Sequence, residues 1–256
     1  MNHPSSEKPI IALGPWLESP AGTYVRTWEQ ARLNELTVDI FGFNAVQIGL
    51  PEINGLEANR MTNRWLTDTH LPEDGRGRIV VAHDFTELPF ATQSLDLVVL
   101  PHVLEFAQEP HQVLREVERV LIPEGQVIVS GFNPASMWGA RQAAGRLHGK
   151  SFLPRRGELI GVPRLKDWLK LLNMEVGRGH FGCYAPPCAT DKWLSRFDFM
   201  EQVGEHWWPY LGAVYIVQAI KRVKGMRLIG PVWNRQKTGT LQGVPATNKN
   251  INHRSK

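Results

Sequence analysis

At 256 residues and 29.0 kDa, the chain has length for one large domain or two small ones. With 42% hydrophobic and 21% charged residues it can bury a sizeable core, and no apolar run approaches the ~20 residues needed to cross a bilayer. The net charge of +4 is unevenly spread: residues 1–150 carry 12 Lys/Arg against 18 Asp/Glu, residues 151–233 carry 12 against 7, and residues 234–256 carry five cations and no acid.

Without that final segment the body is slightly acidic, which argues against a specific nucleic-acid surface. The opening Met1–Lys8 lacks the basic-then-apolar order of a secretory signal, so secretion is not expected. Two cysteines, Cys183 and Cys188, are too few for a disulfide framework and suit a reducing cytoplasm. With His180 they form H-x-x-C-x-x-x-x-C, which fits no standard zinc spacing, so no metal is expected.

In chain order, residues 1–23 read as irregular, broken by Pro4, Pro9, Pro15 and Pro20. A helix is expected from Tyr24 to Phe41, where Trp28, Ala31, Glu35 and Val38 keep helical spacing. Strand candidates follow at 45–50, more weakly at 64–67, then at 78–82, 95–100 and 126–130. Several are continuously apolar, as parallel strands covered on both faces should be. Between the last two lies the clearest helix: Pro110 suits its first turn, and Val113, Leu114, Val117, Val120 and Leu121 make one apolar stripe. Strand, helix and strand within about 35 residues form a right-handed parallel crossover.

Further on, a helix is expected at 163–172, a strand at 174–176 and a Gly/Pro-rich segment at 177–187. A helix at 192–203 and a long buried strand at 211–219 complete the same sheet. Trp207, Trp208, Tyr210, Phe197 and Phe199 read as packing residues of a C-terminal cover. The cluster Lys221–Arg227 reads as a solvated strand end, and residues 234–256 as a disordered basic tail. The domain is therefore placed at 24–233. The basic end and tail are candidate contacts for a protein partner.

Residues 79–133 carry a specific resemblance. The phrases are Ala82-His-Asp84-Phe-Thr-Glu-Leu-Pro-Phe90, Ser94-Leu-Asp-Leu-Val-Val99, His102-Val-Leu-Glu-Phe106 and Leu114-Arg-Glu-Val-Glu-Arg-Val-Leu-Ile-Pro-Glu-Gly125. In order and spacing the segment resembles class I S-adenosylmethionine-dependent methyltransferases of the type 11, small-molecule group. The resemblance implies an α/β, doubly wound, Rossmann-like sheet of about seven mostly parallel strands with an antiparallel late strand. It also implies S-adenosylmethionine as cofactor, a small-molecule acceptor, and neither membrane nor specific nucleic-acid partners.

On that resemblance, Asp84 and the N–H of Phe85 would read the adenine. Asp68, about 20 residues past Gln47, would bond the ribose hydroxyls. The backbone at Gly49 and Leu50, with Pro101 and His102 past the fourth strand, would border the methionine end. The family's acid followed by Gly-x-Gly-x-Gly is degenerate here: Gln47 replaces the acid, and Pro51 and Ile53 replace the second and third glycines. Two function classes follow, a methyltransferase and a non-catalytic module that keeps the fold without the cofactor. His102 either starts the following helix, as the same place does in the family, or serves as an uncoupled base with a pKa near neutrality. Asn133 and Trp138 are weak candidates for the acceptor wall, against a reading as a capped turn with a core tryptophan.

Overall fold

The computed structural model describes residues 13–68, 79–82 by backbone, 85–147, 152–153, 158–187, 190, 194, 196–197 and 199–222. The strands are β1 (Asn44–Ile48), β2 (Asn63–Asp68), β3 (Ile79–Ala82), β4 (Leu95–Pro101), β5 (Leu121–Phe132), β6 (Met174–Gly182) and β7 (Val214–Lys221). They form one sheet in the order β3-β2-β1-β4-β5-β7-β6. The first five are mutually parallel, and β7 runs antiparallel to both neighbours. This is the mostly parallel seven-stranded sheet with a late antiparallel strand that the sequence predicts.

The central strands are buried along their length, β4 in six of its seven residues. Covered on both faces, they have no need of alternating polarity. The helix α4 (Pro110–Val120) supplies part of the cover through Val113, Leu114, Val117 and Val120. Chain direction reverses its sideways progress between β1 and β4: β2 and β3 extend to one side, β5 to the other. The carboxyl ends of β1 and β4 flank this switch point, where such sheets bind ligands.

The N-terminal segment departs from the irregular coil expected through residue 23. Helix α1 (Leu13–Leu17) and helix α2 (Pro20–Thr37) precede the sheet. Ser19 caps α2 by accepting from the Gly22 N–H at 3.1 Å, and Pro20 occupies its first turn. Proline there starts a helix instead of breaking one, because that N–H would have no intrahelical partner anyway. Helix α2 also ends at Thr37, before Phe41. The Asp96 carboxylate then accepts from Phe43 and Asn44 N–H groups at 3.0 and 2.9 Å, fixing the entry to β1.

Three further elements differ. Strand β6 continues to Gly182 through a register irregularity between Val176 and Gly179, glycine-rich stretches being tolerated at this outer strand. Helix α5 (Met137–Leu147) occupies a stretch whose glycines hide its pattern. A Cβ on Gly139 would lie 2.3 Å from the Pro134 carbonyl oxygen, so the turn before the helix demands glycine there. Helix α6 (Val162–Leu171) falls within a residue of expectation; of the helix expected at 192–203, residues 194 and 196 are helical, 199–203 belong to α7 (Phe199–Trp207), and 192–193, 195 and 198 lie outside the described residues.

The aromatic cover is not packed as expected. Trp207 is 71% exposed, Tyr210 73% and Phe199 61%, and Trp208 is also exposed. Lys221, by contrast, is buried: its ammonium donates to the Leu121 carbonyl at 2.9 Å and pairs with Glu118, closing the end of α4. Residues 223–256, which hold the basic tail and most of the basic cluster, lie outside the described residues. No helix among the described residues is long and apolar enough to cross a membrane.

Candidate functional site

Helix α2 lies across the carboxyl edge of the sheet. Its Gln30 meets the loop after β1, its Glu29 meets the residue after β4, and its Trp28 packs where a Cβ on Gly182, at the end of β6, would clash. Helix α1 extends this cover: Trp16 sits edge-on to Phe132 at the end of β5, with ring centroids 5.6 Å apart. The switch point is thus roofed by the N-terminal helices.

Beneath that roof, the loop after β1 is wired by Gln47, which is 1% exposed. Its amide nitrogen donates to the carbonyls of Gly49 and Leu50, both at 3.1 Å, and of Ile53 at 2.6 Å. Its amide oxygen accepts from the Gly55 N–H at 2.7 Å. A carboxylate at this position would face three carbonyl oxygens, so the replacement of the family's acid by glutamine follows from the loop's own geometry. Gly49 (φ 72°) and Leu50 (φ 48°) both take left-handed backbone, at a cost for leucine. Leu50 and Ile53 are core residues, whereas Pro51 is exposed. Gln30 and Asn54 exchange two hydrogen bonds, each 2.8 Å, that bind the loop to α2.

Four charges gather around this loop. Burial raises the pKa of Glu52 and its own backbone N–H lowers it; the carboxylates of Asp68 and Glu18 raise it further and Arg26 lowers it. Asp68 ends β2 beside the loop and is partly exposed. Asp84 lies outside the described residues, and Phe85, immediately after it, is buried.

At the end of β4 the chemistry differs. Pro101 pairs in register with Ser130, and His102 follows with left-handed backbone (φ 53°) at the start of α3 (Val103–Phe106). The imidazole is fully buried and coupled. Nδ1 lies 2.9 Å from Glu105 Oε2, and Nε2 lies 3.2 Å from Glu29 Oε1. Burial pulls the imidazole pKa down, but the two carboxylates outweigh it and push it up to about 10. The ring is therefore an imidazolium at neutral pH, an environment unlike that of the uncoupled base considered from sequence. Glu105 also accepts from the Phe132 N–H, and its own pKa is raised by burial. A Cβ on Gly131 would lie 2.7 Å from the Tyr215 hydroxyl and 2.9 Å from Glu105 Oε1, so glycine lets the cluster close.

This cluster is incompletely satisfied. Both carboxylate oxygens of Glu29 and Nε2 of His102 are buried without an aligned hydrogen-bond partner. Sequence reasoning finds His102 but passes over Glu29. Its signal is an acid set into the buried stripe Val25, Glu29, Leu33 and Leu36 of α2.

The two proposed acceptor-wall residues are structural. The Asn133 amide donates to the carbonyls of Tyr210 and Gly212 at 2.8 and 3.0 Å and accepts from the Ala135 N–H, leaving it committed to its own turn. Trp138 is 1% exposed and donates to the Ala185 carbonyl at 2.7 Å, a core position.

Comparison with known proteins agrees with this architecture. Residues 59–129 match the family model described as a methyltransferase domain. Over 168 residues the chain is 33% identical to the uncharacterized protein YafS of Escherichia coli K12, covering 65% of this chain and 67% of that one. It is 32% identical over 110 residues to a demethylmenaquinone methyltransferase of Bacillus velezensis, covering 43% of this chain and 46% of the relative. Among solved structures, an S-adenosylmethionine-dependent methyltransferase from Thermotoga maritima superposes with a TM-score of 0.57 at 15% identity, over 78% of this chain and 92% of that one. By sheet order and superposition the chain has the class I methyltransferase fold, and residues 59–129 of it match a methyltransferase domain.

Proposed function

We propose that this chain transfers a methyl group from S-adenosylmethionine to a small-molecule acceptor, with the cofactor lying across the β1–β4 switch point. The observation that carries this reading is the charge set around the loop after β1. Glu18, Glu52 and Asp68 with Arg26 suit a ligand that bears ammonium, carboxylate and ribose hydroxyls together. This set of charges supports the cofactor reading despite the missing glycines. When bound, S-adenosylmethionine supplies a methyl group on a sulfonium leaving group.

The chain's own contribution is then positional. The left-handed turn at Gly49 and Leu50 brings backbone close to the cleft. Asp68 accepts from the ribose hydroxyls, and Asp84 with the N–H of Phe85 reads the adenine, as the family resemblance implies. Pro101 and the backbone of His102 border the reacting end. Helices α1 and α2 limit water at this edge, and alignment without a general base is sufficient for such transfer.

Calorimetric titration of the full chain with S-adenosylhomocysteine tests this. Saturable binding is expected, weakened about tenfold by Asp68→Ala and by Asp84→Ala, each removing a charge-assisted hydrogen bond worth ~1.5–3 kcal/mol. Absence of heat with the native chain at millimolar ligand would overturn the reading.

A further inference from the structure

The geometry points to Glu29 as a buried counter-charge for a cationic group at the switch point, selecting the charged methyl donor over its neutral demethylated product. This inference rests on reading the site as an S-adenosylmethionine site. It begins with position: Glu29 projects from α2 to the residue that directly follows β4, one strand from the loop after β1. Composition comes next. The cluster holds two carboxylates, Glu29 and Glu105, against the one imidazole of His102, and all three side chains are buried.

The two acids are not equivalent. Glu105 has two donors, from His102 and from the Phe132 N–H. Both oxygens of Glu29 lack an aligned donor. Glu29 shares the single imidazolium of His102 with Glu105, so two buried carboxylates stand against one cation, and the pair gains from a further positive charge brought nearby in a medium of low dielectric. In the adjoining loop Gln47 is neutral and has both polar atoms engaged, and the charges there are those of Glu52, Asp68, Glu18 and Arg26.

Methyl transfer changes the ligand's charge: the sulfonium becomes a neutral thioether as its methyl leaves. A fixed negative charge at this edge therefore favours the donor and loosens its spent form, which eases product release. Charge read in this way needs no contact between Glu29 and the ligand. It acts through the interior separating them.

The test compares three ligands by calorimetry on the full chain: S-adenosylhomocysteine, S-adenosylmethionine, and an analogue with a protonated amine in place of the methylsulfonium. The native chain is expected to bind both cationic ligands at least about tenfold more tightly than the thioether. Glu29→Gln should hold thioether affinity within about threefold while losing the preference, and Glu29→Asp should retain part of it. Equal or weaker binding of the cationic ligands by the native chain overturns the inference without recourse to any variant. So does a preference that survives in Glu29→Gln. Failure of the native chain to bind the thioether at all is a different result and removes the proposed function itself.

Discussion

Two buried polar centres stand at the same sheet edge, one past β1 and one past β4, and they solve burial in opposite ways. Gln47 is neutral, and its amide makes four hydrogen bonds to the loop it organises. The Glu29–His102–Glu105 cluster is charged and leaves three polar atoms without aligned partners. Fully satisfied buried polar groups rigidify a structure, while under-satisfied ones are retained at a cost in stability. The contrast separates scaffold from site within one edge: the loop after β1 is held in shape, and the residues after β4 are held in tension.

The comparison breaks most sharply at Glu105. Glu105→Ala removes a partner from His102 and from the Phe132 N–H together, and should cost about 3–5 kcal/mol in urea unfolding, the usual loss when one member of a buried ion pair is deleted. Gln47→Glu, which restores the family's acid, should destabilise by about 2–3 kcal/mol at pH 8. It exchanges three donated hydrogen bonds for a carboxylate facing carbonyl oxygens. Because such a carboxyl would have its pKa raised, that loss should shrink as pH is lowered towards 5.

A third test uses pH on the native chain. The His102 pKa is raised from its usual 6.5 to about 10, so the stability it contributes is present below 6.5 and is lost as pH rises through 10. Thermal midpoints should therefore fall more steeply between about pH 6.5 and 10 in the native chain than in His102→Gln. The smallest effect belongs to the surface. Arg32 bridges Glu35 at 2.8 Å and Glu205 at 3.1 Å, but both acids are more than 60% exposed, and Arg32→Ala should cost less than about 1 kcal/mol.

Legibility in the sequence followed the same division. The sheet centre was readable because strands covered on both faces spell continuous apolar runs, and α4 because one stripe of valine and leucine faces the sheet. The N-terminal helices were hidden by prolines, one of which sits in a first turn where proline is welcome. Strand β6 and helix α5 were hidden by glycines that close approaches and irregular register require. At the site, Gly49 and His102 announced themselves by following strands. Glu29 did not, because its meaning comes from a partner more than 70 positions away, brought near only when α2 folds across the edge. The aromatic residues of α7 misled for another reason: composition predicts burial, yet Trp207 stands 71% exposed.

The reciprocal pair between Gln30 and Asn54 carries a consequence for where this protein begins to be itself. The segment recognised as a methyltransferase domain starts at residue 59, after β1 and both leading helices. A fragment trimmed to that boundary would shed the helix that anchors the glycine-poor turn and supplies Glu29, together with the first strand. What remains would keep the family's signature phrases while losing the parts that give this chain its own character.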